Sequence, residues 1–443
     1  MKYIKSLYLT NRFFYGLAII AVVLVAGFFV PVLFAAGKAT LYVYGGIAVV
    51  DILMLYSRKT GINASRTMAD KLSNGDPNPI LVEVESRYPF LIYTEVIDEV
   101  PEQFQYRKNT SYFSLKADAK KQFTYELRPH KRGEYTFNKL NVFASTLLGL
   151  VNRRFTFDAE ITVPVYPSYI QMHKYELLAI SNRLVMAGIK KIRRIGHNFE
   201  FEQIRDYVQG DDFRTINWKA TARKGGFMVN QYQDEKSQQV YSIIDKGRVM
   251  KMPFEGLSLM DYAINSSLVI SNIAIKKYDK AGLITFTEEK VSILQAERKP
   301  DQMGKILETL YAQKTRYLEA NHELLYATIR RQIKQRSLLL FYTNFESMTS
   351  LRRYLPFFRG LAKNHLLVVI FFENTELEAL TQDTALTLED VYIKTIAEKM
   401  MYEKRQIVAE LLKYGIQSIL TPPQDLSVNT INKYLELKSR GLI

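Results

Sequence analysis

Gln239-Val240-Tyr241-Ser242-Ile243-Ile244-Asp245, Ser337-Leu338-Leu339-Leu340-Phe341-Tyr342 and Leu366-Leu367-Val368-Val369-Ile370-Phe371-Phe372 are three short runs with almost no polar interruption. A strand with one wet face alternates. A strand covered on both faces reads as continuous apolar sequence, the pattern of a parallel sheet between helices. Helical segments separate and follow the runs: Leu257 to Tyr278, Met303 to Ala312, Glu323 to Ile333, Ser350 to Ala362, then Leu388 to Tyr414 and Val428 to Lys438. Shorter strands are expected at Gly282 to Phe286, Val291 to Leu294 and Ser418 to Thr421. Residues 237–443 therefore read as a doubly wound α/β domain. In such folds ligands bind beyond the carboxyl ends of the strands, which directs attention to the loops after Asp245 and Tyr342.

Upstream, the period shortens to two. Ile80 to Val84, Ile92 to Val96, Tyr112 to Leu115, Phe123 to Leu127, Tyr135 to Phe137, Asn141 to Phe143 and Ile161 to Val165 alternate, with Pro101, Pro129 and Gly133 between them. That pattern predicts an all-β sandwich over residues 67–170. Residues 171–236 form a separate middle segment, which includes the basic run Lys190, Lys191, Arg193 and Arg194, read as a solvated or membrane-facing stretch.

Residues 1–66 have another character. From Phe13 to Phe34, 22 residues carry no charge, and as a helix they span about 33 Å, enough to cross a bilayer. A turn is expected at Ala35 to Thr40, then a second apolar helix from Leu41 to Tyr56 with one acid, Asp51. This is a two-helix transmembrane hairpin rather than a signal peptide, because a second apolar run follows where polar mature sequence would begin. Lys2, Lys5 and Arg12 precede it and Arg58, Lys59 and Arg66 follow, against Lys38 between the helices. The positive flanks predict a two-pass protein of the cytoplasmic (inner) membrane with the bulk of the chain cytoplasmic. Asp51 is expected to reach the interface near Arg58 and Lys59.

The composition excludes several function classes. The chain has 443 residues, 47% hydrophobic and 24% charged, as a folded globular chain does. With no cysteine there are no disulfides, thiolate zinc sites or cysteine nucleophiles. The five histidines are widely scattered, so no helical zinc pair exists. The net charge of +15 suits an anionic partner. Seven Lys/Arg against one Asp lie in residues 1–66, so lipid headgroups account for much of it and no nucleic acid is expected. No Gly-x-x-x-x-Gly-Lys-Ser/Thr loop occurs, and no cofactor is expected.

The middle segment carries a dense motif: Glu200-Phe201, Arg205-Asp206-Tyr207, Gly210-Asp211-Asp212, Arg214, Ile216-Asn217-Trp218-Lys219-Ala220 and Ala222-Arg223. It resembles the signature of the domain-of-unknown-function-58 family, with Asn217 where the family usually has Asp. Upstream, Lys131-Arg132-Gly133-Glu134-Tyr135 and Leu148-Gly149-Leu150 resemble that family's β segment, with Ser145-Thr146 replacing an Asp-Pro. On the residues alone, Arg205, Arg214 and Arg223 can pair with Asp206, Asp211, Asp212 or Glu200, with Trp218 covering the network. The segment is then either an ordered polar core or an exposed docking surface.

The resemblance implies that the last domain is similar to a von Willebrand factor A domain, whose metal site uses Asp-x-Ser-x-Ser after the first strand. Here Asp245-Lys246-Gly247-Arg248-Val249 keeps only the acid, and the later strand ends Tyr342-Thr343-Asn344. No tightly held metal is expected. Asp245 is a remnant position, with Asn344 as a second oxygen, and Lys246, Arg248 or Lys219 is its expected partner. The resemblance further implies a membrane-anchored, non-enzymatic scaffold or adaptor working with a MoxR-type AAA+ ATPase in protein assembly or maturation. The alternatives are a membrane-associated hydrolase using Asp206, Asp211 and Asp212, with Glu200, as a carboxylate cluster, and an extracytoplasmic adhesion protein, which the charge flanks oppose.

Overall fold

The computed structural model describes residues 6–105, 110–180, 200–209, 211–233, 237–315, 318–382 and 387–443. The basic run at 190–194 lies outside them. The chain is mixed α/β and divides into two compact units, Met1–Tyr166 and Pro167–Ile443, where the sequence suggested four segments. The apolar helices and the β segment fall together because they share a core.

The first unit begins with strand β1 (Leu7–Leu9) and helices α1 (Asn11–Ala26) and α2 (Pro31–Tyr56). The expected turn at 35–40 is corrected: the chain turns at Gly27–Val30 and residues 35–40 continue α2. Pro31 sits at the start of α2, where its missing N–H leaves no helical bond unmade. Ala35, Ala36 and Ala39 then favour continuation over a turn. The two helices pack closely at Gly16, where a Cβ would come within 2.2 Å of the Tyr44 hydroxyl. That hydroxyl donates to the Phe13 carbonyl at 3.1 Å. α2 is long and apolar enough to cross a membrane, with a mean hydropathy of 1.6.

The strands of this unit are β2 (Ile62–Thr67), β3 (Leu72–Ser73), β4 (Asn78–Ser86), β5 (Ile92–Asp98), β6 (Thr110–Leu115), β7 (Lys120–Leu127), β8 (Gly133–Phe137), β9 (Leu140–Ser145), β10 (Val151–Phe157) and β11 (Ile161–Tyr166). They form sheets in the orders β1-β10-β9-β5-β6, β2-β4-β7 and β3-β11-β8. Val82 and Val84 of β4 share one buried cluster with Val96 of β5, Val142 of β9 and Val151 of β10, as a β-sandwich requires. Leu55 of α2 joins the same cluster.

Two charged residues join that helix to the sheet. Asp51, expected at an aqueous interface, is fully buried. Its carboxylate accepts from the Thr146 hydroxyl at 2.5 Å and from the Leu150 and Val151 N–H groups at 3.0 and 3.1 Å. The β9–β10 loop thus satisfies the acid, which has no need to reach Arg58 or Lys59. In return Arg153 of β10, also buried, donates to the Leu55, Arg58 and Lys59 carbonyls at 2.6, 2.7 and 3.0 Å. These are carbonyls that the end of a helix leaves without N–H partners. Arg66, counted as a positive flank, is instead buried in an ion pair with Asp98.

The second unit contains helix α3 (Tyr169–Ile180), strand β12 (Glu200–Asp206), helix α4 (Trp218–Lys224) and strand β13 (Met228–Gln233). The α/β sheet follows: β14 (Gln239–Asp245), a small ribbon of β15 (Pro253–Phe254) and β16 (Leu257–Ser258), α5 (Leu259–Lys276), β17 (Lys280–Phe286), β18 (Val291–Glu297), α6 (Gln302–Tyr311) and α7 (His322–Gln332). It ends with β19 (Leu338–Tyr342), α8 (Met348–Asn364), β20 (Leu366–Phe372), α9 (Thr375–Gln382), α10 (Leu388–Lys413), β21 (Gln417–Thr421) and α11 (Leu426–Ser439). The strand order is β18-β17-β14-β19-β20-β21, parallel except for the β17–β18 pair.

The continuous apolar runs serve two cores. Val240, Ile244, Leu338, Leu340, Val368 and Ile370 face the cluster under α5, α6 and α11. Tyr241, Ile243, Leu339, Phe341, Leu367 and Val369 face the cluster under α7, α8 and α10. This is the doubly wound arrangement the sequence predicted.

Replacing Asp51 by Ala leaves two backbone N–H groups and a hydroxyl buried without an acceptor. We expect a loss of about 2–4 kcal/mol, read as a thermal midpoint roughly 5–10 °C lower in detergent. Asp51→Asn, which keeps one acceptor oxygen, should lose less.

Candidate functional site

The signature is a β-hairpin with a structured insertion. β12 and β13 pair antiparallel from Glu200↔Gln233 and Phe201↔Tyr232 to Asp206↔Met228, with an irregularity between Phe201 and Gln203. Glu200 and Phe201 thus lie at the open end of the hairpin, and Gly210 lies outside the described residues. Tyr207 N–H closes the insertion on the Phe227 carbonyl at 2.9 Å.

Inside, the acids are bound locally. Asp211 receives both Arg205 guanidinium nitrogens at 2.6 and 2.8 Å and the Val208 N–H at 2.9 Å. The Arg205 bond, followed by the Val208 N–H, holds its carboxyl below the usual range. Asp212 accepts from the Arg214 N–H at 2.9 Å and caps the turn Phe213–Thr215. Asn217 does the capping at α4 that an Asp would do: its oxygen accepts from the Ala220 N–H at 3.0 Å, and its amide donates to Asn230 at 2.8 Å. Asp206 pairs with Lys224 at 3.0 Å. Gly225 then ends α4 at φ 73°, a left-handed position.

Two expectations are corrected here. Trp218 does not cover this network. It is 67% exposed and meets Phe227 edge-on at 6.5 Å, because backbone donors and Arg205 already satisfy the acids at the surface. Of the three arginines only Arg205 is paired. Arg214, Lys219 and Arg223 are exposed and make no ion pair among the described residues. Tyr207 stacks on Phe213 at 5.9 Å, and Phe213 and Phe227 are 73% and 57% exposed. The result is an aromatic face with cations around it.

The second candidate lies where the sheet changes direction. α5 carries the chain from β14 to β17 on one side, and β19 lies on the other, so the carboxyl ends of β14 and β19 bound a cleft. A cavity of about 40 Å³ opens there, lined among others by Asp245, Thr343, His322 and Ser350. Asp245 is buried, accepting the Gly247 N–H at 2.7 Å and the Thr343 hydroxyl at 2.7 Å. Arg248, one of its expected partners, turns to Glu346 at 3.6 Å. Burial pushes the Asp245 carboxyl up, against the opposing pull of His322.

His322 was missed at the sequence level. Its Nδ1 lies 3.0 Å from the Ala320 carbonyl, so that nitrogen carries the hydrogen, and Nε2 is left as a buried acceptor without a partner among the described residues. Burial holds the ring below its usual range, and Tyr354 stacks on it at 3.8 Å. Its only sequence signal is its place after the helix-capping Asn321. Lys404 of α10 was missed too, since a lysine on an amphipathic helix reads as surface. Its ammonium donates to Asn344 Oδ1 at 3.1 Å and to the Phe372 carbonyl.

The divalent cation implied by resemblance to an A-type domain does not fit these residues. Gly247 and Val249 bring no hydroxyl, and Asn344 offers its oxygen to an ammonium. Among the described residues no group of three or more His, Cys, Asp or Glu side chains comes together. What remains is a small polar cavity lined by both acceptors and the arginines Arg248 and Arg353.

Burial lowers the Lys404 ammonium from 10.5 to about 8. The unfolded chain therefore holds a proton between those values that the folded one lacks, so stability gained from Lys404 rises with pH across this window. We expect the stability of the native protein relative to Lys404→Met to increase from pH 8 to pH 10.5 in denaturant titrations. A constant difference would contradict the burial account.

Residues 203–407 match the family model described as Protein of unknown function DUF58. Uncharacterized protein YeaD of Bacillus subtilis (strain 168) is 26% identical over 291 residues, covering 61% of this chain and 68% of YeaD. Among solved structures, proximal thread matrix protein 1 of the mussel byssus is 10% identical over 46% of each chain with a TM-score of 0.27. An ASH/PapD-like domain of human CEP192 is 11% identical over 24% of this chain and 84% of that domain, with a TM-score of 0.18. Scores this low carry no argument about the fold. The family match takes in the signature hairpin from Gln203 and the switch-point cavity, and together with the YeaD similarity it supports a DUF58-family protein.

Proposed function

We propose that the protein is a membrane-anchored adaptor without enzymatic chemistry of its own, and that the signature hairpin is where a protein partner docks. The observation that carries this is the exposed aromatic face of Phe213, Trp218 and Phe227 above acids already bound within the hairpin. Large aromatics left in water beside unpaired arginines have the composition of an interface core. A hydrolase would need its carboxylates free to act on substrate, whereas Asp206, Asp211 and Asp212 each hold a local donor. The first half of α10 adds a second apolar stripe, with Leu388, Tyr392, Ile396 and Met400 exposed at four-residue spacing.

The anchor in this reading is the α1–α2 pair, crossing twice. Thr10, just before α1, bonds the Gly149 and Leu150 carbonyls, and Asp51 of α2 bonds the Leu150 and Val151 N–H groups. Both helices therefore leave the same loop, which supports a topology with both ends on one side of the bilayer. From there α1 runs about 24 Å, and Pro31 to Val50 about 30 Å, close to the thickness of a hydrocarbon core. Val22, Val25, Phe28, Phe29, Val32 and Val43 are exposed along the pair, a patch that water disfavours. The flanking lysines support a cytoplasmic location for the rest of the chain. The parallel strand order and the switch-point cleft support an A-type domain, and family resemblance supports a MoxR-type AAA+ ATPase as partner.

The test is purification of the detergent-solubilised protein from its own membrane, with and without a trapped ATP analogue. Nucleotide-dependent recovery of an AAA+ ATPase is expected, and Phe213→Ser with Trp218→Ser should abolish it without lowering the thermal midpoint. Asp211→Asn should lower that midpoint, because it breaks the Arg205 pair. A hydrolytic activity lost in Asp211→Asn at an unchanged midpoint would overturn the adaptor reading in favour of the enzyme.

A further inference from the structure

At the foot of the helix pair, where α1 begins beside the β9–β10 loop, an open cleft of about 540 Å³ is present. That volume falls in the range of about 300–1,000 Å³ usual for small-ligand sites. Its lining includes Asn11, Arg12, Ser145, Leu147, Gly149 and Asn152, and no carboxylate. We propose that this cleft binds the phosphate-bearing headgroup of an anionic phospholipid. The proposal rests on the membrane-anchor reading above and adds a ligand to it.

Four observations carry it. Arg12 is exposed and makes no ion pair among the described residues, so its charge is available. Its guanidinium lies over Gly149, where a Cβ would come 3.0 Å from Nη1. Gly149 is also at φ +62°, so this seat for the arginine depends on glycine for both backbone and space. Asp51, held by the same loop, has its oxygens engaged by Thr146, Leu150 and Val151, does not line the cleft and makes no ion pair with Arg12.

The remaining donors suit a phosphodiester. The side-chain amides of Asn11 and Asn152 line the same cleft as Arg12, and Asn11 and Arg12 are the first two residues of α1, whose N–H groups have no acceptor a turn earlier in the helix. Leu147 and Leu148 stand beside the cleft 70% and 43% exposed. They occupy the level at which both helices enter their apolar stretches, so they meet acyl chains while the polar lining meets the headgroup. A soluble phosphate would engage the same donors but gain nothing from this apolar rim.

The test uses the full chain in nanodiscs of phosphatidylcholine alone or mixed with phosphatidylglycerol. Lipid retained after mild delipidation is counted by native mass spectrometry. The native protein should retain phosphatidylglycerol over phosphatidylcholine, and Arg12→Gln should lose about fivefold or more of that preference while entering nanodiscs equally well. Asn152→Leu, which keeps the charge, should lose part of it at an unchanged thermal midpoint. Unchanged preference in both variants overturns the site and leaves the anchor standing. Displacement of the lipid by millimolar inorganic phosphate would show a free-anion site and overturn the assignment to lipid. Failure of the native protein to enter nanodiscs overturns the anchor, and the site with it.

Discussion

Asp51 and Arg153 exchange places across the boundary between a helix and a sheet: the helix's acid is held by the sheet's loop, and the sheet's arginine is held by the end of the helix. Each charge is buried, and a buried charge is tolerated only when its hydrogen-bonding capacity is filled. The pairing therefore constrains much more than two side chains. It fixes the rotation of α2, brings the β9–β10 loop under the helix pair, and through Thr10 sets where α1 starts. The membrane reading and the headgroup cleft both depend on that geometry.

The second unit follows a different constraint. Strands covered on both faces have no solvent side on which to place polar groups, so polar side chains gather at strand ends. Asp245, Thr343 and Asn344 are at such ends, beside the reversal in strand order that opens a cleft. There the chain departs from an oxygen-rich cation site: a neutral imidazole and a lysine ammonium stand among the acceptors. The hairpin outside the sheet has the opposite character, its acids turned inward onto backbone donors and its aromatics outward.

Legibility in the sequence tracked how much local pattern each feature leaves. The α/β sheet was readable because unbroken runs such as Leu338 to Tyr342 have few other uses in a folded chain. The signature was readable as a motif, and Asn217 capping a helix could be anticipated from residue type alone. Strand β10 was not seen, since Arg153 and Arg154 interrupt its alternation and a buried arginine capping a helix end 94–98 residues away leaves no local trace. Asp51 failed for the same reason: its partners Thr146, Leu150 and Val151 lie far along the chain. The helix boundary at Pro31 was open to reading, because proline is favoured at the first helical position. Lys404 and His322 owe their roles to tertiary burial, which charge and helical periodicity conceal.

The central claim, that the helix pair and the β-unit are locked together at one loop, is tested most directly by hydrogen exchange at the Leu150 and Val151 amides. Measured by mass spectrometry on the full chain in lipid nanodiscs, peptides covering 146–153 should exchange as slowly as the core strands β4 and β9, since both N–H groups are buried against Asp51. Exchange at the rate of an exposed loop would contradict the lock and everything built on it.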